Sequence, residues 1–245
     1  MRVHVTGATG YLGSELARLR PDASTERVEV RDADAVRTLL ESVRPDVVIH
    51  TAYRQDGRDA RAINVEGSET VARAAAAAGA RLLHLSTDVV FDGRKGAPYV
   101  EDDAPAPVTE YGRTKAEAET RVAAAHPGAL LVRTSLLYGG AEPSKHELAA
   151  QDPRLAFYLD EIRSPVHVGD LAAALLELAA LEVAGPLHVA GGDAVSRAEL
   201  AELIAGRPVA TAAAPPGRPL DCSLDSSRAQ ALIHTRLRGV RAVLS

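Results

Sequence analysis

Tyr111 and Lys115 stand four residues apart in Tyr111-Gly112-Arg113-Thr114-Lys115. On a helix this spacing puts both side chains on one face. An isolated phenol ionises at a pH of about 10 and is a poor proton carrier at neutral pH. An ammonium group nearby favours the phenolate and lowers that value. Upstream, Ser86-Thr87-Asp88 closes the apolar run Arg81-Leu82-Leu83-His84-Leu85, which reads as a buried strand. A hydroxyl at a strand's carboxyl end can hold and polarise a substrate oxygen. Tyr111 would then deliver a proton to that oxygen. Thr87, Tyr111 and Lys115 are therefore the candidate catalytic residues, with Asp88 a candidate substrate contact beside them. A Tyr-x-x-x-Lys pair recurs often by chance and also suits an ordinary solvent-facing helix start. It gains meaning here only in company with the features below.

The first of these is the loop Thr6-Gly7-Ala8-Thr9-Gly10-Tyr11-Leu12-Gly13, which follows the strand-like Val3-His4-Val5 and opens a helix. In that setting the first glycine allows a tight turn, the second lets backbone approach a pyrophosphate, and the third lets helix pack on strand. The helix N-terminus would face the phosphates with its partial positive charge. Gly7, Thr9, Gly10, Tyr11, Leu12 and Gly13 are the candidate dinucleotide contacts. A nicotinamide dinucleotide there would bring hydride to the carbon whose oxygen Tyr111 protonates, and Lys115 would also reach its ribose hydroxyls.

These residues need a scaffold that sets strand ends side by side. After the glycine loop a helix runs from Ser14 to about Arg20, stopped by Pro21. Val28-Glu29-Val30 reads as a short strand, Asp34 to Val43 as a helix, and Val47-Val48-Ile49-His50 as a buried strand. A long alanine-rich helix over 60–78 ends at Gly79. Residues 92–109 read as a loop, 111–125 as a helix and 129–133 as a strand. Strand–helix alternation of this kind predicts an α/β fold, a doubly wound parallel sheet of Rossmann type. After Tyr138 the rhythm breaks. Residues 139–164 look irregular apart from a short helix near 146–151. A helix over 170–181 would be capped by Asp170, a strand spans 187–189, and a helix spans 196–205. Residues 207–219, with Pro208, Pro215, Pro216 and Pro219, read as a loop. The expected division is 1–138 for the dinucleotide-binding domain and 139–245 for a small substrate lobe partly interleaved with it.

Composition narrows the function. With 28 basic and 33 acidic residues interspersed, there is no basic stripe and no nucleic-acid footprint. The eight histidines are scattered, and no His/Cys spacing suits zinc. Cys222 has no partner for an internal disulfide. Met1 opens almost directly on a strand, and no apolar run is long enough to span a bilayer. The expectation is a cytoplasmic protein with a small-molecule substrate, no membrane or nucleic-acid partner, no metal, and a homodimer as one arrangement.

Taken together, the motifs resemble the extended short-chain dehydrogenase/reductase family, in its dTDP-4-dehydrorhamnose reductase branch. The likeness runs through residues 6–13, Arg-Pro-Asp-Val-Val-Ile-His-Thr-Ala (44–52) and Ile-Asn-Val-Glu-Gly (63–67). It continues through Ser-Thr-Asp-Val-Val-Phe-Asp-Gly (86–93), residues 111–115 and Arg-Thr-Ser-Leu-Leu-Tyr-Gly (133–139). Arg218-Pro219 with Ser223-Leu224-Asp225 adds a fainter match. The resemblance implies hydride transfer from NADPH or NADH to the 4-keto carbon of a nucleotide-linked deoxysugar, and places the family's catalytic threonine, tyrosine and lysine on Thr87, Tyr111 and Lys115. It also implies cofactor contacts at Thr51, Ala52, Tyr53 and Asn64, and an adenine-contacting pair at Glu29 and Val30. Leu136 stands near the substrate, where the family often has Trp. Arg218 is a candidate for the diphosphate, and a loop arginine in solvent is the competing reading. No acid stands clearly at the ribose position, so NADPH should serve at least as well as NADH. Two readings compete with a reductase: a nucleotide-sugar epimerase, and a non-catalytic dinucleotide-binding regulatory subunit. A dehydratase is disfavoured, because Val89 stands where it would want an acid.

Overall fold

The computed structural model describes all 245 residues. Its centre is a five-stranded parallel sheet in the order β1-β2-β3-β4-β9. These strands are β1 (Val3–Thr6), β2 (Val47–His50), β3 (Arg81–Thr87), β4 (Leu130–Thr134) and β9 (Gly185–His188). Helix α1 (Tyr11–Leu19) and helix α6 (Val168–Leu178) cover one face. There Leu12, Leu16, Leu171 and Leu175 bury themselves against Val3, Val5, Ile49, Leu83 and Val132. Helices α2 (Ala33–Val43), α3 (Ser68–Ala77) and α4 (Glu110–Ala125) cover the other, on Val48, Leu82 and Leu131. Helix α1 thus lies on the face opposite α2, α3 and α4, and ligands of such sheets bind outside the carboxyl ends of the strands.

Val28-Glu29-Val30 does not form a strand. On the side away from β2, the backbone of β1 meets only Ser24, through bonds from Val5 N–H to Ser24 O (2.9 Å) and from Ser24 N–H to Val3 O (2.8 Å). Pro21 and the short connection leave room for that single bridge, so β1 becomes the sheet edge. Val30 instead buries its side chain against Gly67. Gly67 ends a π-helical turn, Ala62–Gly67, that starts the long alanine-rich helix.

The last third is interleaved with the first. Strand β9 completes the sheet beside β4, and α6 packs on α1. The remainder forms a lobe of short pieces: β5 (Leu137–Tyr138), α5 (Lys145–Gln151), β6 (Ala156–Tyr158), β7 (Ile162–Arg163), β8 (Val166–His167), β10 (Val195–Ser196), α7 (Arg197–Ala205), β11 (Ala210–Ala212), α8 (Ser227–Leu232) and α9 (Val240–Leu244). The proline-rich stretch is not wholly loop, since β11 runs parallel to β6. Asp170 is not a cap either. Pairing of β8 with β5 starts α6 at Val168, and the His167 imidazole accepts the Gly169 N–H at 3.2 Å. The Asp170 carboxylate is taken by Arg238 at 2.7 and 2.9 Å. No helix is long and apolar enough to cross a membrane.

Candidate active site

A cleft of about 610 Å³ opens at the carboxyl ends of β1, β3 and β4 and runs to the lobe. The glycine loop forms one end. Gly7 has φ +72°, and a Cβ there would lie 2.7 Å from the Ala52 nitrogen. A Cβ on Gly13 would run into the Gly7 carbonyl, so helix and loop touch only because both residues are bare. Around Gly10 the only close neighbour a Cβ would meet is the Gly7 oxygen. Helix α1 begins there without a side-chain cap. Its first intrahelical bond is Ser14 N–H to Gly10 O (2.8 Å), so the N–H groups of Tyr11, Leu12 and Gly13 precede the ladder. These features fit a dinucleotide diphosphate: bare backbone, free donors and a helix N-terminus. Gly10, Tyr11, Leu12, Gly13, Thr51 and Tyr53 line the cleft. Gly7, Thr9 and Ala52 do not line it, and Thr9 is exposed to solvent.

Thr87, Tyr111 and Lys115 come together on the cleft wall. Thr109 caps α4 by accepting the Gly112 N–H at 3.0 Å, which fixes the turn that carries Tyr111. Tyr53 lies over Tyr111, with ring centroids 5.9 Å apart. Burial pushes the Tyr111 phenol well above its ordinary range, and the charges of Tyr53 and Asp88 act the same way. Lys115 does not counter this shift, because its ammonium is held elsewhere. Nζ donates to Leu85 O at 2.6 Å and lies 3.4 Å from His84 Nε2. Burial lowers the Lys115 pKa to about 8. His84 is neutral, its pKa pushed well down by burial. For Nε2 to accept from Lys115 the imidazole proton sits on Nδ1, which has no partner.

Thr87 Oγ1 donates to Asp88 Oδ1 at 3.1 Å, and Ser135 Oγ donates to Asp88 Oδ2 at 2.6 Å. The Thr87 hydroxyl must therefore rotate off Asp88 to donate to a substrate oxygen. Burial raises the Asp88 pKa, and the Arg163 guanidinium opposes the rise. Leu136 lines the cleft as expected. Arg218 does too, but its guanidinium forms a two-pronged pair with the buried Glu161 at 2.5 and 3.2 Å.

Three further expected contacts, Asn64, Glu29 and Val30, do not line the cleft either. Asn64 is fully buried, its amide bonded to Arg54 N–H (2.8 Å), Arg54 O (2.7 Å) and Thr114 Oγ1 (3.0 Å). It clamps the loop after β2 to α4. Val30 is core, and Glu29 faces solvent, bonded to Arg31 at 2.9 Å. Sequence reasoning missed others. Ser86 Oγ and Thr134 Oγ1 line the cleft, buried and without a partner. Lys145, His146, Arg163 and Arg197 also line it. Ser86 could have been found, since it precedes Thr87 at the same strand end. The four lobe residues carry no periodic signal.

The RmlD substrate binding domain family matches residues 1–245 of the chain. The dTDP-4-dehydrorhamnose reductase of Mycolicibacterium smegmatis is 36% identical over 217 residues, covering 80% of this chain and 66% of that protein. The methionine adenosyltransferase 2 subunit beta of Pongo abelii is 31% identical, covering 91% of this chain and 80% of that protein. Among solved structures, the dTDP-4-dehydrorhamnose reductase of Bacillus anthracis in complex with NADP superposes with a TM-score of 0.88 at 26% identity, covering 99% of this chain and 96% of that one.

Proposed function

The chain belongs to the RmlD substrate binding domain family, and from that premise we propose that it is an NAD(P)H-dependent reductase of a 4-keto nucleotide-linked deoxysugar, of the dTDP-4-dehydrorhamnose reductase kind. The observation that carries this reading is the meeting of Thr87, Tyr111 and Lys115 in one cleft with the glycine loop. The nicotinamide cofactor, when bound, supplies the hydride. Gly10 presents bare backbone to its phosphates, and Tyr11, Leu12 and Gly13 present the N–H donors that precede the helical ladder. Thr87 turns its hydroxyl from Asp88 to the substrate's carbonyl oxygen. Tyr111, whose high pKa keeps its proton in place, gives it to that oxygen as the carbon is reduced. Lys115, held on Leu85 O and beside His84 Nε2, stands at the floor of the cleft, where it can reach the cofactor's ribose hydroxyls. Leu136 and Arg218 stand on the substrate side.

Glu29 is held by Arg31, away from the cleft, so NADPH should serve at least as well as NADH; the ratio of kcat/KM for the two tests this. The activity itself is tested by oxidation of NADPH with dTDP-4-dehydrorhamnose. Turnover supports the reading. Cofactor binding without turnover overturns it in favour of a non-catalytic subunit, a reading that the intact trio opposes.

A further inference from the structure

We infer that Arg197, rather than Arg218, is the principal contact for the diphosphate bridge of a nucleotide-linked substrate. The inference rests on the substrate class proposed above and assigns the residue that holds it. Four cations line the lobe end of the cleft: Lys145, Arg163, Arg197 and Arg218. Three of them have partners. Arg163 is buried and donates to the carbonyls of Ile162 (2.7 Å), Leu220 (2.5 Å) and Pro219 (2.9 Å), with Asp88 and Glu161 each 3.7 Å away. Its role is to brace the loops of the lobe. Arg218 pairs with Glu161 through both prongs and lies over the Tyr158 ring at 5.5 Å. Lys145 donates to the Gln55 amide oxygen.

Arg197 differs from all three. Its guanidinium makes no hydrogen bond and has no carboxylate within 4 Å, yet it borders the same cleft. Its position is fixed from behind. It is the first residue of α7, where the Ser196 hydroxyl accepts the Glu199 N–H at 2.9 Å. Its own N–H donates to Glu161 O at 2.9 Å, which ties the helix start to β7. A guanidinium held this way offers two parallel donors, the fork that matches phosphate oxygens.

The charge around it asks for an anion. Four cations face three carboxylates, Asp56, Asp88 and Glu161, at this end of the cleft. His146 adds no charge at neutral pH, because burial and the neighbouring Arg197 and Lys145 hold its pKa at about 3. Burial lowers the Arg197 pKa, Glu161 and Asp88 favour its charge, and Arg163 and Arg218 oppose it. A dianionic diphosphate would supply the partner that this guanidinium lacks, and of the four cations Arg197 is the donor free to receive it.

The test is calorimetric titration of the NADP-loaded protein with dTDP and, separately, with inorganic pyrophosphate. Arg197→Gln should weaken dTDP by ~10–100-fold, the loss of a charge-assisted contact, and leave NADP affinity unchanged. Arg197→Lys should recover part of the loss, because it keeps the charge without the fork. Arg218→Gln should weaken dTDP only a few-fold, since its charge is already met by Glu161. Binding of dTDP by Arg197→Gln within two-fold of wild type overturns the inference, as does a loss confined to NADP. The two proposals separate cleanly. If the wild type reduces no 4-keto sugar but Arg197→Gln abolishes pyrophosphate binding, the activity fails and the anion site stands. If the wild type is an active reductase whose KM is unmoved by Arg197→Gln, the activity stands and the anion site fails.

Discussion

Helix α4 packs around two buried cations, its own Lys115 and Arg133 of β4, and the structure treats them in opposite ways. At its third turn Glu119 meets Arg133 of β4 through bonds of 2.8 and 3.1 Å, with both side chains buried. Arg133 also lies over the Phe91 ring at 5.1 Å. Nothing is left over, and the pair acts as wall. At the second turn Lys115 is just as buried, yet it has no carboxylate of its own. A main-chain carbonyl and a neutral imidazole are its partners. Glu119, the one carboxylate favouring its charge, is already engaged by Arg133. A buried charge that is fully paired contributes to structure, and one left unpaired costs stability and is kept for what it can do. The lobe repeats the contrast with Arg218 and Arg197.

The sharpest way to test this division is to remove the acid one helical turn before Lys115. Tyr111→Phe should lower kcat by ~10²–10⁴-fold, the usual loss for general acid catalysis. The ring still packs beneath Tyr53, so NADPH affinity and the melting temperature should stay near wild type. Stopped-flow turnover beside a fluorescence titration checks both. Near wild-type kcat would remove Tyr111 from the chemistry.

Lys115 and Arg133 then offer the same substitution at two buried cations with opposite expected signs. Arg133→Met strands Glu119 in the interior and should cost about 3–5 kcal/mol of stability, read from denaturant unfolding. Lys115→Met removes a charge that burial disfavours. Its pKa near 8 lies below the ordinary value of about 10.4. Between those values the unfolded chain binds the proton and the folded one does not, so wild-type stability rises with pH across that window. Below pH 8 the full penalty is present, and Lys115→Met should be more stable there by roughly 3 kcal/mol. That advantage should shrink above pH 8 and vanish near 10.4, while turnover is lost at every pH. A Lys115→Met protein less stable than wild type at pH 7 would mean that Lys115 is wall as well.

The contrast was only half legible in the amino-acid order. Tyr111, Lys115 and Thr87 could be read because each is fixed by local geometry, a helix turn or a strand end. Gly7 and Gly13 could be read because touching backbones admit no side chain. Which cation is paired could not be read. Glu119 meets Arg133 across a helix–strand contact, and Arg218 meets Glu161 across the lobe, at separations that follow no period. The lost second strand was equally hidden. Val28-Glu29-Val30 has strand composition, but β1's backbone is taken by Ser24, and one bridge leaves no alternation to recognise. Asp170 misled for a related reason. Aspartate outranks histidine as a cap, but the pairing of Val166 and His167 with β5 set the helix start before side-chain preference could act.

The smallest expected effect concerns how firmly the first turn of α4 is held. Thr109 caps α4 at 3.0 Å, and Asp32 caps α2 by accepting the Ala35 N–H at the same distance. Removing either cap should cost about 1 kcal/mol of stability, read as similar shifts in the denaturation midpoint. Their effects on catalysis should differ. The turn capped by Thr109 carries Tyr111, and Gly112 beside it packs against the Val89 carbonyl with no room for a Cβ. Loosening that turn moves the phenol relative to Thr87, and small displacements of a reacting group are expensive in rate. Thr109→Ala should therefore lower kcat several-fold while leaving the affinity for NADPH unchanged. Helix α2 lies over the apolar half of the sheet and contributes nothing to the cleft. Asp32→Ala should lose the same stability and keep its kcat. Equal losses of kcat in the two variants would show that rate follows global stability, and the special standing of the first turn of α4 would fall.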